Sequence, residues 1–178
     1  AAGEAYDKVG RTIGFPYPAG VAMDKAAQRG DPHAFKLPVP HVEGSEYDFS
    51  FSGLKTAVIN LIHNAEQKGI QVNKADVACS FQCSALDVLV DKLVYFANLK
   101  GVKTVTSGGG VTANGYLREK LTKVCKENGL KLVLPEKRYC TDNGCMIASE
   151  GYIQYKARNF ADLTLNAVAS IPLVRESK

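Results

Sequence analysis

The segment from Lys103 to Arg118, Lys-Thr-Val-Thr-Ser-Gly-Gly-Gly-Val-Thr-Ala-Asn-Gly-Tyr-Leu-Arg, sets three consecutive glycines between a β-branched run and a helical pattern. Gly108, Gly109 and Gly110 remove every side chain where a ligand would approach and leave backbone N–H groups facing it. That is the chemistry of a nucleotide loop, with Asn114 as a polar reader where the next helix opens. The spacing fits neither the Walker nor the dinucleotide pattern. A plain strand-to-helix turn with Thr112 as its cap accounts for the segment equally well.

Four other segments carry polar groups of similar promise. In Gly3-Glu-Ala-Tyr-Asp-Lys8, Glu4 and Asp7 share one helix face, where carboxylates can accept the two hydroxyls of a ribose or simply complement the helix dipole. Tyr17-Pro-Ala-Gly20 is followed by Asp24 one helical turn on, a glycine for close approach and then a carboxylate, or a plain turn and helix start. Asp48-Phe-Ser-Phe-Ser-Gly-Leu-Lys-Thr56 gathers Ser50, Ser52, Lys55 and Thr56 around a strand-to-helix junction suited to phosphate or carboxylate, with capping by Ser52 as the simpler account. In Tyr139-Cys-Thr-Asp-Asn143, helix capping explains one of Thr141, Asp142 and Asn143 but not three in succession. Asp142 has the chemistry of a divalent-metal ligand and needs partners. His33, His41 and His63 are too scattered to supply a recognisable pair.

These residues must be held by elements that the apolar spacing predicts. Helices are expected from about Gly3 to Ile13, Gly20 to Gln28, Gly53 to Gln67, Lys74 to Leu99, Ala113 to Glu127 and Asp142 to Arg158. The fourth, about seven turns long, is the backbone of the core. Strands are expected at Tyr47 to Ser52, before the triple glycine, and at Lys131 to Leu134, with at most an edge strand at Phe35 to Val39. Strands separated by helices give an α/β class, a parallel or mixed sheet covered by helices, read as a single lobe over 1–178.

Composition narrows the class further. The chain has 178 residues, 46% apolar and 22% charged, enough for one domain with a core and ordinary for a globular protein. No run approaches the roughly 18 apolar residues of a membrane span, so no membrane partner is expected and the location is read as cytoplasmic. Five cysteines without a C-x-x-C pair fit reduced thiols, with Cys79 and Cys83 in the core. The formal charge is +4, concentrated from Arg118 to Arg138 as a phosphate-binding surface or a solvated face. No initiator Met precedes the helical pattern that begins at Glu4, which predicts a piece of a longer protein.

Taken in order, Gly-Glu-Ala-Tyr-Asp-Lys, Tyr-Pro-Ala-Gly, Phe-Ser-Phe-Ser-Gly-Leu-Lys-Thr, Gly-Gly-Gly-Val-Thr-Ala-Asn-Gly-Tyr-Leu-Arg and Cys-Thr-Asp-Asn-Gly-Cys-Met-Ile-Ala make a pattern. From Ala1 to about Tyr155 the chain resembles the transferases that make N6-threonylcarbamoyladenosine in tRNA, long described as O-sialoglycoprotein endopeptidases. No Ser, Cys or paired-histidine arrangement for proteolysis can be assembled from the residues present.

The resemblance implies a ribonuclease-H-like lobe of an actin-like and sugar-kinase-like fold, the second of two lobes that close on a nucleotide. It implies that Asp7 and Asp24 bind the ribose hydroxyls of threonylcarbamoyl-adenylate, that Gly20 admits the ligand, and that Gly109, Gly110 and Asn114 border the adenine or its sugar. Asp142 would ligate one divalent metal, iron or zinc, whose two histidine ligands lie in a His-x-x-x-His helix missing from this chain. Implied partners are tRNA, the adenylate, and accessory proteins including a degenerate paralogue and a small ATPase. The lobe alone is expected to be inactive. Rival readings are an actin-like or sugar-kinase-like ATPase and a noncatalytic scaffold, the latter disfavoured by Asp7, Asn114 and Asp142.

Overall fold

The structure, a computed structural model, describes residues 1–170. The helices are α1 (Ala2–Thr12), α2 (Gly20–Ala27), α3 (Ser52–Gln67), α4 (Lys74–Leu99), α5 (Gly115–Glu127) and α6 (Gly144–Lys156). The strands are β1 (Thr104–Thr106) and β2 (Lys131–Val133), and short 3₁₀ turns occupy Gly110–Ala113 and Lys137–Tyr139. The chain divides into two compact units, Ala1–Asp142 and a second that begins at Asn143. Residues 171–178 of the expected single lobe lie outside the described residues.

Asparagine starts three of these helices. Asn73, Asn114 and Asn143 each accept a backbone N–H through Oδ1, from Ala75 at 2.9 Å, Leu117 at 2.9 Å and Met146 at 3.0 Å, which satisfies one donor left open at each helix start. The cap of α5 is therefore Asn114 and not Thr112, whose buried hydroxyl shares a 2.7 Å hydrogen bond with Ser107 instead. Ser52 is the first residue of α3 rather than its cap.

Helix α4 is buried all round from Val77 to Gln82 and only in part beyond, and α1, α2, α3 and α5 pack around it. Phe81, Leu86, Val77 and Val90 of α4 are closed off from solvent, together with Val9, Met23, Leu54 and Val58 from the surrounding helices. A smaller cluster of Ala97, Val105, Cys125 and Leu130 lies under the strands. Cys79 is in the main core, as expected, and burial pushes its thiol up to about 11.

Two glycines set how closely the helices meet. At Gly10 an added Cβ would lie 2.2 Å from the Ala19 Cβ, so α1 and the start of α2 touch through bare backbone. A Cβ on Gly30 would lie 2.1 Å from the Ala75 carbonyl oxygen. The backbone of α4 cannot yield cheaply there, so Gly30→Ala is expected to lower stability by ~1–3 kcal/mol. Gly53→Ala, a helical site with open space around it, should instead raise stability by about 0.5–1 kcal/mol. Urea denaturation midpoints of the two variants check both signs.

The sheet is smaller than expected. Among the described residues β1 and β2 form one parallel pair, with Val105 opposite Leu132 and α5 as the crossover, in place of a mixed sheet. Residues 47–51 are not a strand, because their aromatic groups find side-chain partners on α4 rather than a ladder. Tyr47 stacks on Phe96 with centroids 4.7 Å apart, and Lys92 Nζ sits over the Phe49 ring while donating to the Asp48 carbonyl. Residues 35–39 are likewise irregular, since the Phe35 N–H donates to the buried Ser80 hydroxyl. In the second unit, α6 begins at Gly144 and has no buried residue.

Candidate nucleotide site

Three of the sequence motifs meet where α1, α2 and the start of α5 converge. Asp7 of α1 accepts the Ala19 N–H through Oδ1 at 2.8 Å, which fixes the turn that presents Gly20. Asp24, one turn into α2, accepts the Gly115 N–H through Oδ2 at 2.9 Å. The two aspartates thus tie three segments distant in sequence into one surface. Asp24 Oδ1 is buried and makes no hydrogen bond among the described residues. Burying an acceptor without a donor costs on the order of 1–3 kcal/mol.

Behind that surface lies a polar network. Gln82 of α4 is only 2% exposed, and its Oε1 accepts from Asn114 Nδ2 at 2.7 Å and from the Tyr6 hydroxyl at 3.2 Å. Burial first, and the Asp24 carboxylate second, push the Tyr6 phenol well above its ordinary range. The phenol stays protonated and remains a donor. Tyr6 also meets Phe81 edge to face, with centroids 5.0 Å apart.

The glycine turn leaves the room its composition promised. An added Cβ on Gly20, Gly108 or Gly109 would meet nothing within 4 Å, and Gly109 has φ +93, a conformation that only glycine adopts without strain. Gly110 faces the Thr141 methyl, 3.8 Å from its would-be Cβ, so the Cys-Thr-Asp stretch borders the turn. Arg118 holds the two together by donating to the Thr112 carbonyl at 3.2 Å and approaching the buried Cys140 sulfur at 3.9 Å.

A second concavity of about 180 Å³ is lined by Glu4, Lys8, Ser50, Ser52 and Lys55, bringing the first and third motifs together. Lys8 pairs with Glu4 and holds its carboxyl below the usual range. Gly3 lies against Val111 of the 3₁₀ turn, so this concavity adjoins the glycine segment.

The motifs that converge in space are also those of a single family. A family model described as TsaD, tRNA N6-adenosine threonylcarbamoyltransferase, matches residues 1–149. The chain belongs to this family. Proteins named tRNA N6-adenosine threonylcarbamoyltransferase from Moorella thermoacetica and Desulfitobacterium hafniense are each 46% identical to it over 173 residues. That alignment covers 97% of this chain and 51% of each relative. The one from Caldicellulosiruptor saccharolyticus is 44% identical over 178 residues, 100% of this chain and 52% of its own. The chain therefore spans about half the length of the curated relatives it matches.

Within this family member, Asp7, Gly20, Asp24 and Asn114 are brought together, and Gly109 and Gly110 open the 3₁₀ turn that leads to Asn114. Asn114, expected as a polar reader, also has structural partners. Its Oδ1 is committed to capping and one Nδ2 hydrogen to Gln82, which leaves a single N–H for a ligand. Asp142 is exposed, and among the described residues no three His, Cys, Asp or Glu side chains gather. The residues present do not compose a metal centre. Gln82 and Tyr6 were not singled out by sequence, although a glutamine among the apolar positions Ala78, Phe81 and Ala85 of α4 carries the signal.

Proposed function

We propose that this chain is one lobe of a two-lobe transferase that moves the threonylcarbamoyl group from threonylcarbamoyl-adenylate to N6 of the adenosine beside the anticodon of tRNA. In that reaction a bond forms from N6 to the carbamoyl carbon, the bond from that carbon to the adenylate phosphate oxygen breaks, AMP leaves with the electron pair, and N6 releases one proton to solvent. Asp7 and Asp24 face the ribose hydroxyls, Gly20 and Gly109 admit the nucleotide, and Gly110 and Asn114 border it. The observation that carries this reading is the orphaned Asp24 Oδ1, a buried acceptor beside an open glycine turn. A nucleoside diol supplies the donor it lacks.

Two features support a lobe completed by further chain. Among the described residues the parallel sheet has two strands, whereas parallel sheets are ordinarily larger and covered on both faces, and α6 leaves Ile147, Tyr152 and Ile153 exposed. A ribonuclease-H-like lobe with more strands accounts for both, and the shared half-length of the relatives agrees. Asp142 is a carboxylate ligand for a divalent ion, iron or zinc, with the histidines supplied by the other lobe. The basic surface from Arg118 to Arg138 suits tRNA phosphates, with accessory proteins, a degenerate paralogue and a small ATPase, sharing the work. No helix among the described residues is long and apolar enough to cross a membrane, which suits a cytoplasmic tRNA enzyme.

The test is incubation with threonylcarbamoyl-adenylate and tRNA. The full-length protein is expected to form modified adenosine and release AMP, while the 178-residue chain alone forms none. Turnover by the lobe at the full-length rate overturns the two-lobe reading, and ATP hydrolysis without transfer by the full-length protein overturns the transferase reading.

A further inference from the structure

The backbone determines how the buried amides behind the nucleotide surface are oriented. The Leu117 N–H can only donate, so the Asn114 atom 2.9 Å from it is Oδ1. Nδ2 then faces Gln82, and the Gln82 atom 2.7 Å away must be its acceptor, Oε1. The Tyr6 hydroxyl, held protonated by burial, is the second donor to that oxygen at 3.2 Å. One carbonyl oxygen thus joins α1, α4 and the cap of α5.

We infer that Gln82 is a positioning residue for adenylate binding: its Oε1 fixes the Asn114 amide so that the remaining Nδ2 hydrogen is presented at the nucleotide surface, and through Tyr6 holds α1, and with it Asp7, in register. The inference rests on the adenylate reading proposed above. Three observations carry it. Gln82 is 2% exposed, so it touches no ligand itself. Both of its donors come from elements that carry proposed ligand groups, Asp7 on α1 and Asn114 at the start of α5. Among the described residues the Asn114 amide has no other anchor for Nδ2, so without Gln82 its orientation rests on the cap bond alone.

The experiment measures AMP affinity of the full-length protein by calorimetry, with a thermal melt of each variant. Gln82→Met keeps the volume and removes the acceptor, and Gln82→Asn keeps the amide but withdraws it by one methylene. Each is expected to raise the AMP dissociation constant about tenfold. Gln82→Glu restores an acceptor at the same reach and is expected to bind within threefold of wild type. A residue that only filled space would behave in the opposite order, with Met neutral and Glu disruptive. AMP binding within twofold of wild type by both Gln82→Met and Gln82→Asn overturns the inference and leaves the adenylate reading standing. Absence of AMP binding by wild type overturns both. Where Gln82→Met fails to melt cooperatively, the comparison of Gln82→Asn with Gln82→Glu decides.

Discussion

Phe81→Ala is expected to lower the unfolding free energy by ~3–5 kcal/mol, the range for removing a fully buried aromatic ring. Phe81 is 0% exposed in the first third of α4, where its ring meets Tyr6 of α1. Collapse into the space is resisted on one side by Gly10, whose bare backbone already brings α1 into contact with Ala19 and Met23. The helices cannot move closer there. Typical domains hold about 5–15 kcal/mol in total, so the loss is a large fraction of the reserve. The same substitution removes the edge-to-face partner of Tyr6, worth ~0.5–1.5 kcal/mol beyond area burial, and so frees the donor that reaches Gln82. A urea midpoint shift worth about 3 kcal/mol or more, with weaker AMP binding under native conditions, is the expected pair of results. A loss under about 1 kcal/mol would place Phe81 in a core far more compliant than its packing indicates.

How much of this was legible in the sequence depends on the kind of interaction. Five of the six helices were readable because each buries apolar residues at helical spacing, and α4 most clearly, with Val77 and Phe81 one turn apart and Leu86 and Val90 one turn apart, whereas α6 buries none of its residues. The glycine turn was readable because its conformational freedom belongs to the residue type, as Gly109 bears out. Strands at 47–52 and 35–39 were misread because alternating aromatic and polar residues report exposure on two sides, which a ladder and a loop lying on a helix share. Tyr47 and Phe49 take α4 as partner, and only the fold reveals that. Asn114 was recognised as a polar group at the helix opening, and its capping of α5 was not, because capping and ligand reading ask for the same side chain. Gly10 and Gly30 read as ordinary helix or loop glycines, and their necessity comes from Ala19 and Ala75, nine and 45 residues away.

The proposed adenylate surface is most exposed to test at Asp24. Its two oxygens have different circumstances, Oδ2 bound to the Gly115 N–H at 2.9 Å and Oδ1 buried without a hydrogen bond among the described residues. If Oδ1 receives a ribose hydroxyl, Asp24→Ala removes a hydrogen bond to a charged group, worth ~1.5–3 kcal/mol. AMP affinity in the full-length protein should then fall by about 10- to 150-fold. The loss of the Gly115 contact is a competing cause, and Asp24→Asn separates the two. An asparagine keeps a carbonyl for Gly115 but offers an uncharged amide to the ribose, and neutral hydrogen bonds are roughly half as strong as charge-assisted ones. Its AMP affinity is expected to lie between wild type and Asp24→Ala, with the melting temperature of wild type. Should Asp24→Ala bind AMP within twofold of wild type, the carboxylate serves only to hold α5, and the orphaned oxygen is a cost of that packing rather than a ligand group.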